Sequence, residues 1–254
     1  MKIDRDLWNE SFYKDEWPKW PCPECGEKNL QLVKESFKSH ELVSSVNYHE
    51  YEDWDCNWYT GAFSSELKCM NSTCGEIVFV TGEKKIELTT KDTHEFGDVE
   101  IERDTIYPKY CHPALHLFNI PENTPWEVES AIINAFALFW SDKSACGNSI
   151  RKVVELILND KRVGKMRKTK AGKWIYLKLD ERIKIFEIKN KEASDTLMAI
   201  KWIGNVGSHE IEIDEEVLFD GLELLEFVLE ELYGEAHHKR MANIRSRVIK
   251  RRGK

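Results

Sequence analysis

Cys22-Pro23-Glu24-Cys25-Gly26 and Cys69-Met70-Asn71-Ser72-Thr73-Cys74-Gly75 decide the reading of this chain. A C-x-x-C turn followed by glycine lets two thiolates converge on one ion. The second stretch has four residues between its cysteines, and 43 residues separate the two pairs. Two such knuckles predict a tetrahedral all-sulfur site of Cys22, Cys25, Cys69 and Cys74, and that donor set suits Zn2+. Four protein ligands leave no open position for a substrate, so the expected role of zinc is structural. The plainer reading, reduced cysteines in an ordinary core, leaves the glycine after each pair to chance. Cys56, Cys111 and Cys146 are left over and are expected to be free thiols. His112, beside Cys111, is remote from the knuckles, and four ligands are complete without it.

Working outward, residues 28–106 carry β signals. Leu42–Val46, Glu76–Val80 and Val99–Glu102 alternate or are rich in β-branched residues, and Thr81-Gly82-Glu83-Lys84 reads as a turn. An aromatic insertion with Tyr48, Tyr51, Trp54, Trp58 and Tyr59 lies between the knuckles. Its neighbours Glu50, Glu52, Asp53 and Asp55 would repel a phosphate backbone. That favours packing or a protein contact over base stacking. Residues 1–20 hold Trp8, Phe12, Tyr13, Trp17 and Trp20, and two outcomes stay open: packing across the sheet, or a short helix. These stretches predict a zinc-ribbon-like antiparallel β domain over 1–105.

Tyr107 to Pro121 reads as a connector. Beyond it the apolar period changes from two to 3.6, predicting an all-α domain over 106–254 and an α+β chain overall. Asn123-Thr124-Pro125-Trp126-Glu127 is a helix start. Helices are expected over 126–141, 144–160, 192–203 (ending near Gly204) and 214–233, with one or two helical pieces over 174–187. Gly234 should end the last of them, and the tail beyond Glu235 has the composition of a basic helix.

The 254 residues carry a net charge of −8. The charge is uneven: residues 1–120 sum to −10 and the remainder to +2. Lys161, Arg162, Lys165, Arg167, Lys168, Lys170 and Lys173 fall in thirteen residues without an acid, and two glycines mark the stretch as a loop. A second basic block runs from Lys239 to Lys254. Phosphate or nucleic acid is one partner for such blocks, and an acidic protein surface is another. No run of about 18 apolar residues is present, so no membrane span is expected. The charged N-terminus and the metal-type cysteine spacing point to a cytoplasmic chain.

Three further pieces belong together. They are Ile120-Pro121-Glu122 leading to Glu129-Ser130-Ala131, the R-x-x-x-E of Arg151 and Glu155, and the G-N-x-x-x-H of Gly204, Asn205 and His209. In this order and spacing, over roughly 105–235, they resemble a bacterial helical-domain family of unknown function. That family is found behind zinc ribbons and in restriction-type proteins, and looks related to the HEPN superfamily. The resemblance implies a HEPN-like helical bundle, a possible homodimer through that bundle, and a setting in defence against phage or mobile DNA. It implies a binding module for nucleic acid, RNA included, or for a partner complex. The alternative is a metal-independent endoribonuclease with His209 as acid/base and Asn205, Arg151 or Lys201 holding phosphate. HEPN ribonucleases carry R-x(4–6)-H. Here the positions for that arginine are Trp202, Ile203 and Gly204, so Lys201 is the nearest cation and lacks the guanidinium fork.

Overall fold

The computed structural model describes residues 3–93, 97–209 and 213–234 with Ile244 and Arg247, and omits the side chains of 91–93, 97–98 and 205–209. The chain is mixed α+β, a curled antiparallel sheet followed by a helical region. Two compact units result: Asp4–Leu117 with Phe136–Ser141, and Met1–Ile3 with Phe118–Ala135 and Asp142–Lys254. No helix among the described residues is long and apolar enough to cross a membrane.

In the first unit, β1 (Phe12–Tyr13), β2 (Leu30–Leu32), β3 (Lys38–Glu41), β4 (Thr60–Cys69), β5 (Ile77–Thr93) and β6 (Gly97–His112) pair in the order β1-β6-β5-β4-β2. β3 also pairs with β4, so β2 and β3 share one of its edges. Ser36 fills the gap between them: its Oγ donates to Val33 O (2.6 Å) and accepts from Glu66 N (2.8 Å). Along β4, Gly61, Phe63, Ser65, Leu67 and Cys69 turn inward with period two. The core beside them is aromatic. Trp20 stacks near Trp8 (6.4 Å between ring centroids) and lies tilted against Trp140 (5.3 Å), and its Nε1 donates to Leu7 O. The N-terminal aromatics therefore pack; Arg5–Trp8 is a single 3-10 turn.

Three sequence expectations are corrected here. Thr81-Gly82-Glu83-Lys84 is no turn, because β5 runs straight through it to Thr93. Gly82 sits at a register shift opposite Pro108, where a Cβ would lie 2.1 Å from Tyr107 O. The glycine is needed for a bulge against a residue that cannot donate. The stretch Leu42–Val46 is not a strand but the short helix α1 (Val43–Val46). Buried Ser45 ties it down: its Oγ donates to Glu41 Oε1 (2.6 Å) and accepts from Thr60 N (3.0 Å). The presumed connector is also partly strand, since β6 continues to His112.

The helical region holds α2 (Trp126–Leu138), α3 (Lys143–Asp160), α4 (Leu179–Glu187), α5 (Lys191–His209) and α6 (Glu215–Tyr233). Asp142 caps α3 by accepting from Ala145 N (2.7 Å), and Asp214 caps α6 by accepting from Glu216 N (2.8 Å). Ile150, Val153, Val154, Ile157 and Leu158 form the buried stripe of α3, and Leu218, Leu222, Leu225 and Leu229 that of α6; the two helices are in contact and α5 packs on both. Gly204 does not end α5, which continues to His209. A Cβ at Gly204 would lie 2.7 Å from Arg151 Cβ and 3.0 Å from Gly147 O, so the glycine is there to let α5 cross α3 closely. Residues 174–187 are corrected too. β8 (Trp174–Tyr176) precedes α4 and pairs with β7 (Met166–Lys168), both drawn from the basic stretch and its flank.

Candidate functional site

Each cysteine pair sits on a backbone turn closed in the same way. In the first, Gly26 N donates to Cys22 O (2.8 Å); in the second, Gly75 N donates to Asn71 O (3.2 Å). Both glycines have positive φ, +74° and +72°, which a side chain would strain. The two turns align with Asn71 in the place of Cys22. The extra pair of residues therefore moves the first ligand, Cys69, back onto the end of β4. Asn71 Oδ1 accepts from Thr73 N (3.1 Å) and holds the enlarged turn. Cys22 N donates to Glu27 O and Cys69 N to Glu76 O, while Met70 N donates to Asn29 O and joins the knuckles.

The result is a cluster in which all four Sγ atoms lie within 4.8 Å of one another. Cys22–Cys74 and Cys25–Cys69 are each 3.7 Å apart, far too long for a disulfide bond. Cys22 and Cys69 are buried, Cys74 is half-buried and Cys25 is exposed. Burial pushes the Cys22 thiol up to about 12. The Glu27 amide donating to its sulfur holds the Cys25 thiol below its ordinary value. These four cysteines could hold a metal ion; His112 stands outside the group.

The basic stretch is not a plain loop. Cα partners Met166↔Tyr176 and Lys168↔Trp174 set those four residues on one face of a two-stranded ribbon, with Arg167 and Ile175 on the other. Gly172, at φ +82°, makes the turn, and Thr169 N donates to Lys173 O. Trp174 is 59% exposed and Tyr176 77%. Lys165, Lys168, Lys170 and Lys173 are exposed beside them. Two of the seven cations are tied elsewhere: Lys161 lies over the Tyr233 ring (3.8 Å) and pairs with Asp160, and Arg167 reaches Glu181 (3.4 Å). Arg162 is exposed, with φ +56°.

The other singled-out residues fall at helix crossings. Arg151 lays its Cβ and Cγ against Gly204, and among the described residues no ion pair joins it to Glu155. Lys201 is 6% exposed, its Nζ 2.7 Å from Asp180 Oδ1 and 4.0 Å from the Trp202 ring. That hydrogen bond holds the Asp180 carboxyl below its usual range. Asn205 and His209 belong to the last turns of α5, and their side chains lie outside the described residues. The block from Lys239 to Lys254 also lies outside them, apart from Ile244 and Arg247.

Sequence reasoning missed Trp174, Tyr176, Asn159 and Arg182. Arg182 is 5% exposed and bonds to Asn159 Oδ1 (2.8 Å) and Val163 O (3.2 Å). The available signal for the ribbon was the aromatic, β-branched triplet Trp174-Ile175-Tyr176 after Gly172. The aromatic insertion, for its part, leaves Tyr48, Tyr51, Trp54 and Trp58 exposed among acidic neighbours. No curated protein and no solved structure matches the chain. Residues 10–111 match one domain of unknown function, DUF8608, and residues 134–251 match a second, DUF4145.

Proposed function

We propose that this chain is a single-stranded nucleic-acid-binding module whose contact surface is the β7–β8 ribbon and whose sheet is held by one structural zinc. The carrying observation is the ribbon face. Two exposed aromatic rings, Trp174 and Tyr176, stand among lysines with no acid in the strands or turn. Aromatic faces stack bases of any sequence, and the cations follow the backbone. Zinc is supported by distance. With Zn–S bonds of about 2.3 Å, a regular tetrahedron has edges of about 3.8 Å, and two observed Sγ–Sγ separations are 3.7 Å. Bound there, the ion would lock the two knuckles together and leave no position for substrate. The HEPN-like identity of the helical region, its homodimer and its setting in bacterial defence rest on the sequence resemblance.

The test is fluorescence anisotropy of labelled single-stranded RNA and DNA against the full chain over a salt series. Binding that weakens steeply with salt and drops on Trp174→Ala supports the module. Strands that fail to bind at low salt refute it. A ribonuclease using His209 is the second reading, favoured by Arg151 lying against Gly204, next in sequence to Asn205. Cleavage of an RNA pool in EDTA that disappears with His209→Ala would establish it.

A further inference from the structure

A cavity of about 190 Å³ opens between α3, β8 and α4, lined by Glu155, Asn159, Lys165, Tyr176 and Arg182 beside two leucines. It is smaller than the usual site for a drug-sized ligand and suits one planar group. Its chemistry is mixed. Glu155 is exposed and offers only acceptors, which disfavours a bare phosphate. The Asn159 oxygen is occupied by Arg182, so its NH2 group is left to donate. Lys165 adds an ammonium. Arg182 Nε is buried without a partner, a donor still to be satisfied. Tyr176 also lines the cavity, and its side chain belongs to the exposed face of the ribbon.

Donors, one carboxylate and a ring face together describe a site for a nucleobase. Guanine answers this set best. It presents neighbouring donors at N1 and N2 to a carboxylate and neighbouring acceptors at O6 and N7 to an ammonium or amide. Uracil offers one N–H, and adenine and cytosine one amino group each.

We propose that this cavity takes a guanine base from the bound strand. Glu155 accepts from N1–H and N2–H, Lys165 and Asn159 donate to the O6/N7 edge, and Tyr176 covers the ring. This rests on the nucleic-acid reading above and adds a base preference to it. The experiment compares labelled oligouridylates of about ten nucleotides whose central residue is uridine, inosine or guanosine, bound to the full chain at low salt. The guanosine strand should bind about tenfold tighter than the uridine strand, with inosine, which lacks the N2 amino group, between them. Glu155→Gln, at an exposed helix position, should bring the guanosine-to-uridine ratio close to one while uridine binding persists. Equal affinity for all three strands overturns the guanine site and leaves the binding module standing. A preference that survives Glu155→Gln also overturns it. If no strand binds, the module and the site fall together.

Discussion

The cysteine cluster and the β7–β8 ribbon depend on their residues in opposite ways. In the proposed zinc site every sulfur of the cluster would be one quarter of a coordination shell, so each position would be indispensable. On the ribbon, in the proposed binding mode, the charges would act as a sum and the two exposed rings would be the point-like contacts. A site of the first kind constrains both residue type and spacing. A site of the second kind constrains composition and leaves spacing free.

The largest test of this contrast is Cys22→Ser. It should lower bound zinc from about one ion per chain to none by elemental analysis. On the order of 10 kcal/mol of metal-linked folding free energy is then lost, and near-ultraviolet dichroism from the tryptophan-rich sheet core should collapse. A chelator should act likewise, with most helical far-ultraviolet signal surviving. A sheet that stays folded without metal would break the contrast.

Gly204→Ala tests for a point-like position in the helical unit. An exposed helical glycine gains about 1 kcal/mol from this change. Here the added methyl would meet Arg151 Cβ at 2.7 Å, so a loss of about 1–3 kcal/mol in urea unfolding is expected. Trp174→Ala should weaken strand binding by about 1–3 kcal/mol with no shift in melting temperature. Lys168→Ala should do less, lowering affinity for all sequences alike and reducing the salt slope by about one. An effect at Lys168 as large as that at Trp174 would mean the ribbon is not additive.

The smallest effect concerns pH. Lys201 depresses the Asp180 carboxyl, so their contribution is present above the unfolded carboxylate range near pH 4 and is lost as pH falls below it. Asp180 is 42% exposed, which limits the contribution to below about 1 kcal/mol. Asp180→Asn should therefore cost stability at pH 7 and little at pH 3, measured by urea midpoints.

The same contrast explains what could be read from sequence. Cysteine spacing with a following glycine named the four clustered residues, because coordination leaves few alternatives. The long amphipathic helices α3 and α6 were equally legible. Strand β4 was not singled out, since Gly61 and Ser65 occupy inward positions and blunt its alternation. Gly204 looked like a helix end because sequence does not reveal which backbone crosses it. The basic stretch was visible as composition, but its ribbon was masked by the helical periodicity of α4 beginning at Leu179. Arg182 and Asn159 became neighbours only through the packing of α4 on α3.

The placement of the knuckles bears on how the chain reaches its fold. One precedes β2 and the other joins β4 to β5, so a bound ion closes a ring of chain that contains β2, β3 and the aromatic insertion. The first turn is built from local hydrogen bonds and can offer its two sulfurs before the strands pair, whereas the second contributes Cys74 and receives Cys69 from the end of β4. Free metal concentration then becomes a kinetic variable. Refolding of the sheet should accelerate as zinc is added up to one equivalent, and a newly made chain would wait on metal supply before its strands could register.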